Sequence, residues 1–276
     1  MNLPHRIPFA KMHASGNDFV IIDNRMGRIA GDVSELARKV CRRNYSVGAD
    51  GLILIEKSDT ADFKWQFYNS DGTVAEMCGN ASRCVARLAT MKGIAPRELS
   101  FETLAGRIRA EVKDDGVKVE LTRPKDYMPG IKVELDGAVR EGNFINTGVP
   151  HVVYFVDDVE SVDVGRDGSL TRYHENFRPA GANANFVKVA GESSMIIRTY
   201  ERGVEGETQA CGTGAVAAAL VAGAKKLVSS PVSLTTRGGN VLKVYYEYDG
   251  VNFWDVFLEG DAVLVFQGEL EEGALI

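Results

Sequence analysis

Two short stretches of this chain, far apart in the sequence, follow one pattern. Residues 75–81 read AEMCGNA, and residues 208–215 read TQACGTGA. Each has a cysteine, then a glycine, then a small polar residue, and each leads into a run of small and apolar residues. Cys78 and Cys211 are 133 positions apart in a chain of 276 residues, which is close to half its length. This spacing predicts a duplicated fold in which each half carries one Cys-Gly turn.

The runs around the two cysteines predict many strands and few helices in each half. Runs of β-branched and aromatic residues bounded by Gly, Asp and Asn are typical of strands. The predicted strands span residues 19–23, 51–56, 63–69, 99–103, 107–112, 117–122, 143–147, 151–156, 185–190, 195–201, 232–236, 241–248, 252–259 and 262–268. The predicted helices span residues 35–43 behind a capping box at 32–35, 80–93 behind Cys78, 169–177, and 212–227 behind Cys211. Residues 124–129 begin and end with proline and are predicted to be a linker.

The composition argues against several classes of function. A net charge of −6 favours solubility and is unfavourable for binding nucleic acid or an anionic membrane. No apolar stretch reaches the roughly 18 residues that a transmembrane helix needs, and the N-terminus lacks the apolar region of a secretory signal. We therefore expect a cytoplasmic protein with no nucleic-acid or membrane partner, and reduced thiols at its four cysteines.

A cysteine at the start of a helix has a specific chemistry. The first N–H groups of a helix lack intrahelical partners, and the aligned peptide dipoles add partial positive charge there. Such a site lowers the pKa of a cysteine and can hold a carboxylate. Two turns of this kind, at Cys78 and Cys211, can supply a base on either side of one bound carboxylate. That is what inversion of a carbon centre by proton transfer requires.

The cysteines also allow other interpretations. Cys41 and Cys84 lie within predicted helices and are expected to be small core residues. Cys78 and Cys84 are spaced too widely for a usual zinc pair, and no HExxH motif is present. Residues 212–217 fit the dinucleotide pattern G-x-G-x-x-A, but no acidic residue follows until Glu247. We expect neither a metal nor a nucleotide cofactor.

Six motifs, in order, resemble the diaminopimelate epimerase family, whose members are cofactor-independent two-base amino acid epimerases. They are MHASGNDFVIID (12–23), GADGLILIE (48–56), YNSDGTVAEMCGNASRC (68–84), GVPHVV (148–153), GANANFV (181–187) and RTYERGVEGETQACGTGA (198–215). The resemblance implies an α/β (α+β) fold of two similar domains. Each would be a β-barrel-like sheet around a central helix, with the active site in the cleft between the domains.

The resemblance also implies the domain boundaries and the partners. An N-terminal domain of residues 1–122 plus 263–276 would carry Cys78, because the family's last strand returns to the first domain. A C-terminal domain of residues 123–262 would carry Cys211. Members of the family are often dimers, so a homodimer is expected, with diaminopimelate as the small-molecule substrate and no cofactor.

Residue by residue, the resemblance implies a site. Cys78 and Cys211 match the two catalytic bases, one a thiolate and one a thiol at rest. The positions whose backbone N–H groups hold the reacting carboxylate are Gly79, Asn80, Gly212 and Thr213. Asn17 matches a residue near the reacting centre. The groups that hold the far end of the substrate are Asn69, Asn183, Glu201 and Arg202.

Several of these residues also have a purely structural interpretation. Asn17 fits a turn, and residues 69–72 read as a β-turn. Glu201 and Arg202 fit a solvated surface pair, and His151 fits a structural role. Gly51 and Val149 stand where several family members have Gln and Asn, which removes side-chain contacts with substrate there.

The sequence leaves two alternatives to a diaminopimelate epimerase open. One is a sister two-cysteine racemase for proline, hydroxyproline or histidine. The other is a protein that only binds an amino acid, or a thiol redox sensor. The pair Glu201-Arg202 favours a substrate with a second charged amino acid end.

Overall fold

The computed structural model of the protein describes residues 6–275, which form strands and four α-helices. The strands are β1 (Arg6–Ala14), β2 (Asn17–Asp23), β3 (Gly51–Glu56), β4 (Phe63–Asn69), β5 (Glu98–Thr103), β6 (Gly106–Val112), β7 (Val117–Glu120), β8 (Lys125–Leu135), β9 (Ala138–Asn146), β10 (Pro150–Phe155), β11 (Asn183–Gly191), β12 (Ser194–Glu201), β13 (Gly206–Thr208), β14 (Val232–Thr235), β15 (Val241–Tyr248), β16 (Phe253–Gly260) and β17 (Val263–Glu271). The helices are α1 (Val33–Val40), α2 (Gly79–Met91), α3 (Val164–Arg172) and α4 (Gly212–Ala224).

The chain divides into two compact units. Unit 1 comprises Met1–Val119 and Gly260–Ile276, and unit 2 comprises Glu120–Glu259. The predicted domain boundaries follow residues 122 and 262. Each lies three residues beyond the corresponding boundary between the units, which follows Val119 and Glu259. The predicted boundaries of the folding domains stay a prediction.

In unit 1 the strands pair in the order β17-β1-β2-β3-β4-β5-β6-β7. The β2–β3 and β4–β5 pairs are parallel, and the other pairs are antiparallel. A parallel pair needs a crossover connection between its strands, usually a helix. Helix α1 lies in the first crossover and helix α2 in the second.

Unit 2 repeats the same series of pairings. Its order is β8-β9-β10-β11-β12-β14-β15-β16, with parallel pairs only at β10–β11 and β12–β14. Helices α3 and α4 lie in the two crossovers, where unit 1 has α1 and α2. The duplication predicted from the two Cys-Gly turns is therefore present in the topology, and each turn precedes the second crossover helix.

The second crossover helix is central in each unit. Helix α2 packs against β17, β1, β2 and β3 and also against β6, near the other end of the sheet. Helix α4 packs likewise against β9, β10, β11, β12, β14 and β15. Strands from both ends of a sheet reach the same helix only if the sheet curves around it. This confirms the predicted fold class of two similar α/β units, each with a sheet around a central helix.

The first crossover helix covers the other face of the sheet. In unit 1, α1 begins after Asp32, whose carboxylate accepts a hydrogen bond from the Glu35 N–H at 3.0 Å, as the capping box predicts. Its apolar residues Val33 and Leu36 share a cluster with Val20 of β2. Because β2 and β3 are covered on both faces, they read as continuous apolar runs.

Three sequence predictions of local structure are wrong. Residues 124–129 are not a linker, because β8 runs through them and pairs with β9, with register shifts on both sides of Met128 that accommodate Pro129. The helix predicted at 169–177 starts earlier, as α3, because Asp163 caps it by accepting from the Arg166 N–H at 3.0 Å. A separate 3₁₀ turn, Glu175–Phe177, follows it. Strands β1, β8 and β13 were not predicted.

Candidate active site

Cys78 is the residue immediately before the central helix of unit 1. Its backbone is extended, with φ −146° and ψ 126°, and α2 begins at Gly79. No side chain among the described residues caps this helix start, so the first N–H groups of α2 stay available to an anionic ligand. The Cys78 side chain is partly exposed, and its Sγ lies 3.8 Å from the Asn17 Oδ1.

Asn17 is fixed on both sides of its amide. Its Nδ2 donates to the Asp50 carboxylate at 2.6 Å, and Arg43 holds that carboxylate at 2.9 Å. Its Oδ1 accepts from the Asn80 Nδ2 at 3.2 Å and faces the Cys78 thiol. The sequence predictions for Asn17, Cys78 and Asn80 therefore fall on one cluster in unit 1.

Asn69, the fourth predicted side chain of unit 1, lies in a tight turn at the end of β4. Its backbone N–H donates to the Thr73 carbonyl at 2.8 Å, and its Nδ2 donates to the Thr73 Oγ1 at 3.0 Å. The turn interpretation of residues 69–72 thus describes the local structure. The side chain is exposed, and its role in binding substrate stays a prediction.

Cys211 precedes the central helix of unit 2 in the same way. Its φ is −125° and its ψ 109°, and α4 begins at Gly212 without a side-chain cap from the described residues. Unlike Cys78, Cys211 is buried, with 7% of its surface exposed. Its Sγ lies 3.6 Å from the Thr213 Oγ1, and its thiol hydrogen-bonds to the Glu201 carboxylate.

The pKa of Cys211 departs from the prediction. A lowered pKa was expected from the helix start, but burial, and then the charge of Glu201, raise the pKa of this thiol to about 12. The hydrogen bonds from Thr213 and the Gly214 N–H lower it, but by less. Cys211 is therefore a protonated thiol near neutral pH. Burial also raises the pKa of the Glu201 carboxyl above its ordinary value.

The two other cysteines lie in the core. Cys41 and Cys84 are 3% and 0% exposed. Burial raises the pKa of Cys41 to about 12 and that of Cys84 further. These are the properties of inert, apolar residues, in keeping with the sequence prediction.

His151 supports the Cys211 end of unit 2. It is fully buried, and burial lowers its pKa to about 3, so the ring is neutral. The Asn185 Nδ2 lies 3.1 Å from its Nδ1, which makes Nδ1 the acceptor and Nε2 the donor. Nε2 then donates to the Thr213 Oγ1 at 3.0 Å. The ring orients the hydroxyl group that faces Cys211.

Sequence reasoning missed Asn185, although a signal for it existed. In the motif GANANFV, Asn183 and Asn185 are two positions apart on one strand, so both side chains lie on the same face of the sheet. Both are buried, and both reach the His151 ring. The alternation of two asparagines in an otherwise apolar strand indicates a polar cluster rather than a turn.

Glu201 and Arg202 do not form a surface pair with each other. The Glu201 carboxylate interacts with the Cys211 thiol, whereas the Arg202 Nη1 donates to the Ala180 carbonyl at 3.0 Å. The Asn183 Oδ1 accepts from the Arg202 backbone N–H at 2.6 Å. The carboxylate of Glu201 therefore contacts the thiol, in addition to its predicted role at the far end of the substrate.

A Glu201→Gln variant should lower the pKa of Cys211, because the negative charge that opposes its ionisation is removed. We expect the alkaline limb of the kcat/KM–pH profile to move to lower pH and kcat/KM to fall about 100-fold. The matched control is Glu207→Gln, since the Glu207 carboxylate is held by Arg198 at 2.7 Å. An alkaline limb that stays in place in Glu201→Gln would contradict the coupling.

Two wider features concern what else the chain binds. Among residues 6–275, no group of three or more His, Cys, Asp or Glu side chains is placed to hold a metal ion. In the same part of the chain, no helix is both long enough and apolar enough to span a membrane.

Solved structures of two other proteins share this fold. A hydroxyproline epimerase from Agrobacterium vitis, solved with bound trans-4-hydroxy-L-proline, superposes with a TM-score of 0.71 over 99% of this chain and 94% of its own, at 16% identity. A PhzF-family phenazine biosynthesis protein from Bacillus anthracis also gives a TM-score of 0.71, over 96% of this chain and 99% of its own, at 16% identity. Such low identity shows a shared fold alone.

The sequence comparisons identify the family. The family model described as diaminopimelate epimerase matches residues 9–126 and 143–265. The diaminopimelate epimerase of Aquifex aeolicus is 49% identical over 97% of this chain and 99% of its own length. That of Archaeoglobus fulgidus is 43% identical over 96% of each. The chain belongs to the diaminopimelate epimerase family, which confirms the resemblance read from the six motifs, and it is an isomerase.

Proposed function

We propose that this protein interconverts LL-2,6-diaminopimelate and meso-2,6-diaminopimelate. The observation that carries the proposal is the 49% identity to a diaminopimelate epimerase over 97% of this chain. The reaction would feed lysine synthesis and the synthesis of peptidoglycan precursors. A sister racemase for proline or hydroxyproline is not favoured, because the likeness to such proteins is one of fold, at 16% identity.

The proposed mechanism uses one cysteine from each unit. A thiolate removes the proton from the α-carbon, and the electron pair of that C–H bond delocalises towards the α-carboxylate. The other cysteine, as a thiol, donates its proton to the opposite face of the carbon. The thiol becomes a thiolate and the thiolate a thiol, so the two exchange roles in the reverse direction. Base, acid and anion stabilisation come from the protein, so the proposal requires no PLP, metal or nucleotide.

The local structure supports these roles for the two cysteines and the two helix starts. The uncapped N–H groups at Gly79, Asn80, Gly212 and Thr213 are suited to hold the α-carboxylate as negative charge develops on it. Cys211, with its pKa raised to about 12, is suited to be the proton donor at rest. Cys78, the partly exposed member of the pair, is then assigned the role of the resting thiolate. The proposed binding set at the far end of the substrate consists of Asn69, Asn183, Glu201 and Arg202.

The proposal includes the setting of the enzyme. We place it in the cytoplasm, where its four free cysteines stay reduced, and we propose that it is a homodimer. Sedimentation velocity measures the second point directly, since the chain mass is 30.0 kDa. A species of that mass alone would remove the dimer from the proposal and leave the chemistry intact.

Incubation of the purified, reduced protein with LL-diaminopimelate in D₂O tests the proposed reaction. We expect deuterium at the α-carbon of the meso product, without added cofactor, because the returned proton comes from a thiol that exchanges with solvent. NMR and chiral chromatography follow exchange and inversion together. Proline, hydroxyproline and histidine serve as control substrates. Turnover of one of these in place of diaminopimelate would move the substrate to a sister racemase, and binding without exchange would indicate a binding protein.

A further inference from the structure

A buried arginine lies behind the Cys78 turn in unit 1. Arg83 is on α2, five residues after Cys78, and its side chain is 0% exposed. Its Nη1 has no hydrogen-bond partner among residues 6–275. Arginine is almost never fully buried unless it is paired, so this side chain requires an explanation.

The partners of Arg83 are neutral groups. Its Nε donates to the Asp261 backbone carbonyl at 3.0 Å, and its Nη2 donates to the Asn80 Oδ1 at 2.7 Å and to the Ser15 Oγ at 3.4 Å. The Asp261 carboxylate is bound instead by the Ser15 N–H at 2.9 Å and the Ser15 hydroxyl at 2.7 Å. The guanidinium cation is therefore buried without a carboxylate bonded to it, an arrangement that is costly by itself.

The hydrogen bonds of Arg83 lead to the reacting sulfur. Asn80 accepts from Arg83 through Oδ1 and donates through Nδ2 to the Asn17 Oδ1 at 3.2 Å. The same Asn17 oxygen lies 3.8 Å from the Cys78 Sγ. Since each amide uses both of its ends, Arg83 sets which face of Asn80 meets Asn17 and, through it, where the thiol points.

Few ionisable groups interact with the charge of Arg83. The ionisable groups that interact with it are Cys84, Asp261 and Cys78. Burial raises the pKa of Cys84, which keeps that thiol neutral. Burial lowers the pKa of Arg83 below its ordinary value, but a guanidinium stays cationic in proteins. Of the three groups, Cys78 is the one whose charge changes in the proposed reaction.

We propose that Arg83 is a positioning residue for Cys78, which holds the thiol in place through Asn80 and Asn17 and stabilises its thiolate form by its buried charge. The proposal rests on the proposed function, since it takes Cys78 to be the resting base. In this proposal, α2 contributes two separate groups to the turn. The buried cation of Arg83 stabilises the thiolate, and the N–H groups at the start of the helix bind the substrate carboxylate.

Other charged groups around the turn set the background. Asp261, with His13 at 3.9 Å from it, is among the ionisable groups that interact with Arg83. Asp50 reaches the turn through Asn17 and is itself paired with Arg43. Both carboxylates carry partners of their own, so removing Arg83 leaves the turn with a net loss of positive charge.

The test compares Arg83→Met with the matched control Arg87→Met. Arg87 lies one turn further along α2 and donates to the carbonyls of Lys113, Asp114 and Gly116, so its loss disturbs the same helix without reaching Cys78. The readout is the pH dependence of Cys78 alkylation by iodoacetamide, followed by peptide mass spectrometry. This separates Cys78 from the three buried cysteines and needs no substrate.

We expect the midpoint of Cys78 alkylation to rise in Arg83→Met and to stay in place in Arg87→Met. We also expect kcat to fall at least about 10-fold in Arg83→Met with little change in KM, since the base is weakened rather than the binding groups. An unchanged midpoint and an unchanged kcat in a folded Arg83→Met protein would overturn the proposal.

A second variant keeps the test open if Arg83→Met does not fold. Arg83→Lys keeps the charge but loses the fork that holds Asn80 and Ser15 together. We expect an alkylation midpoint near that of the wild type and a reduced kcat. An alkylation midpoint in Arg83→Lys that lies well above that of the wild type would contradict the electrostatic part of the proposal. The alkylation test is independent of the substrate assignment. If the wild type does not act on diaminopimelate but the Arg83 substitution still shifts the alkylation midpoint, the substrate assignment fails and this proposal stands.

Discussion

Replacing either Cys78 or Cys211 by alanine should reduce epimerisation of LL-diaminopimelate by about 10⁴-fold or more. Each substitution removes one of the two proton carriers, and no other titratable thiol in the described residues is placed to replace it, because Cys41 and Cys84 are buried. Loss of a positioned acid or base costs about 10²–10⁴-fold in rate, and loss of an essential member of a catalytic unit costs more. Steady-state conversion of LL to meso substrate measures the effect.

Cys84→Ala is the matched control for both cysteine variants. Its thiol is 0% exposed on the same helix that Cys78 precedes, so its loss should lower the free energy of unfolding by about 1–2 kcal/mol and leave kcat within a few-fold. Denaturant unfolding and kinetics together separate the two effects. Full activity in Cys78→Ala or Cys211→Ala would sink the two-base assignment.

The sequence predicted the starts of helices α2 and α4 correctly, because the signals for them lie in neighbouring residues. Helices were expected directly after Cys78 and Cys211, and α2 and α4 begin at Gly79 and Gly212. Glycine after an extended residue, followed by small apolar residues, is a local signal that does not depend on distant contacts. The cap of α1 by Asp32 is local in the same sense.

Strand β1 was missed for a tertiary reason. It lies between β17 and β2, but its sequence contains Pro8 and Lys11, which weaken a strand pattern. Lys11 is only 7% exposed because its ammonium group reaches the Asp18 carboxylate at 2.7 Å. A buried lysine of this kind is explained by a partner on the neighbouring strand, which periodicity cannot reveal.

The acidity of Cys211 could not be predicted from its own turn. The helix start favours a thiolate, and that part of the reasoning applies to Cys78 and Cys211 alike. The difference arises because Cys211 is buried and Glu201, ten positions earlier in the chain, reaches its thiol. Two turns that look equivalent in the sequence thus have different surroundings in the structure.

The sequence motifs also did not predict the side chains that pack and hydrogen-bond next to each Cys-Gly turn. Arg83 and Asn185 act through contacts with residues that are distant in the sequence, Asp261 and His151. Both stand inside motifs that resemble the family's, so the sequence marked the segments without showing what these side chains touch. The predicted substrate contacts of Asn69 and Asn183 stay predictions, because they depend on the bound ligand.

Gly214 gives the second large effect, because its position leaves no room for a side chain. A Cβ at this residue would contact the Asn185 Oδ1 and would lie 3.3 Å from both the Cβ and the Sγ of Cys211. Gly214→Ala should therefore displace either the thiol or Asn185. Since Asn185 holds the His151 ring at 3.1 Å, both outcomes disturb the surroundings of Cys211, the proposed proton donor.

We expect Gly214→Ala to lower kcat about 100-fold, the cost of displacing a reacting group by about 1 Å, and to lower the free energy of unfolding by about 1–3 kcal/mol through overpacking. Gly223→Ala is the matched control. It lies on the same helix, and its Cβ would crowd the Tyr246 ring instead of the thiol. We therefore expect lost stability there with kcat retained. A Gly214→Ala enzyme that unfolds more easily but turns over at the wild-type rate would show that the position of Cys211 tolerates displacement, and that the buried thiol is not held to the geometry a proton donor requires.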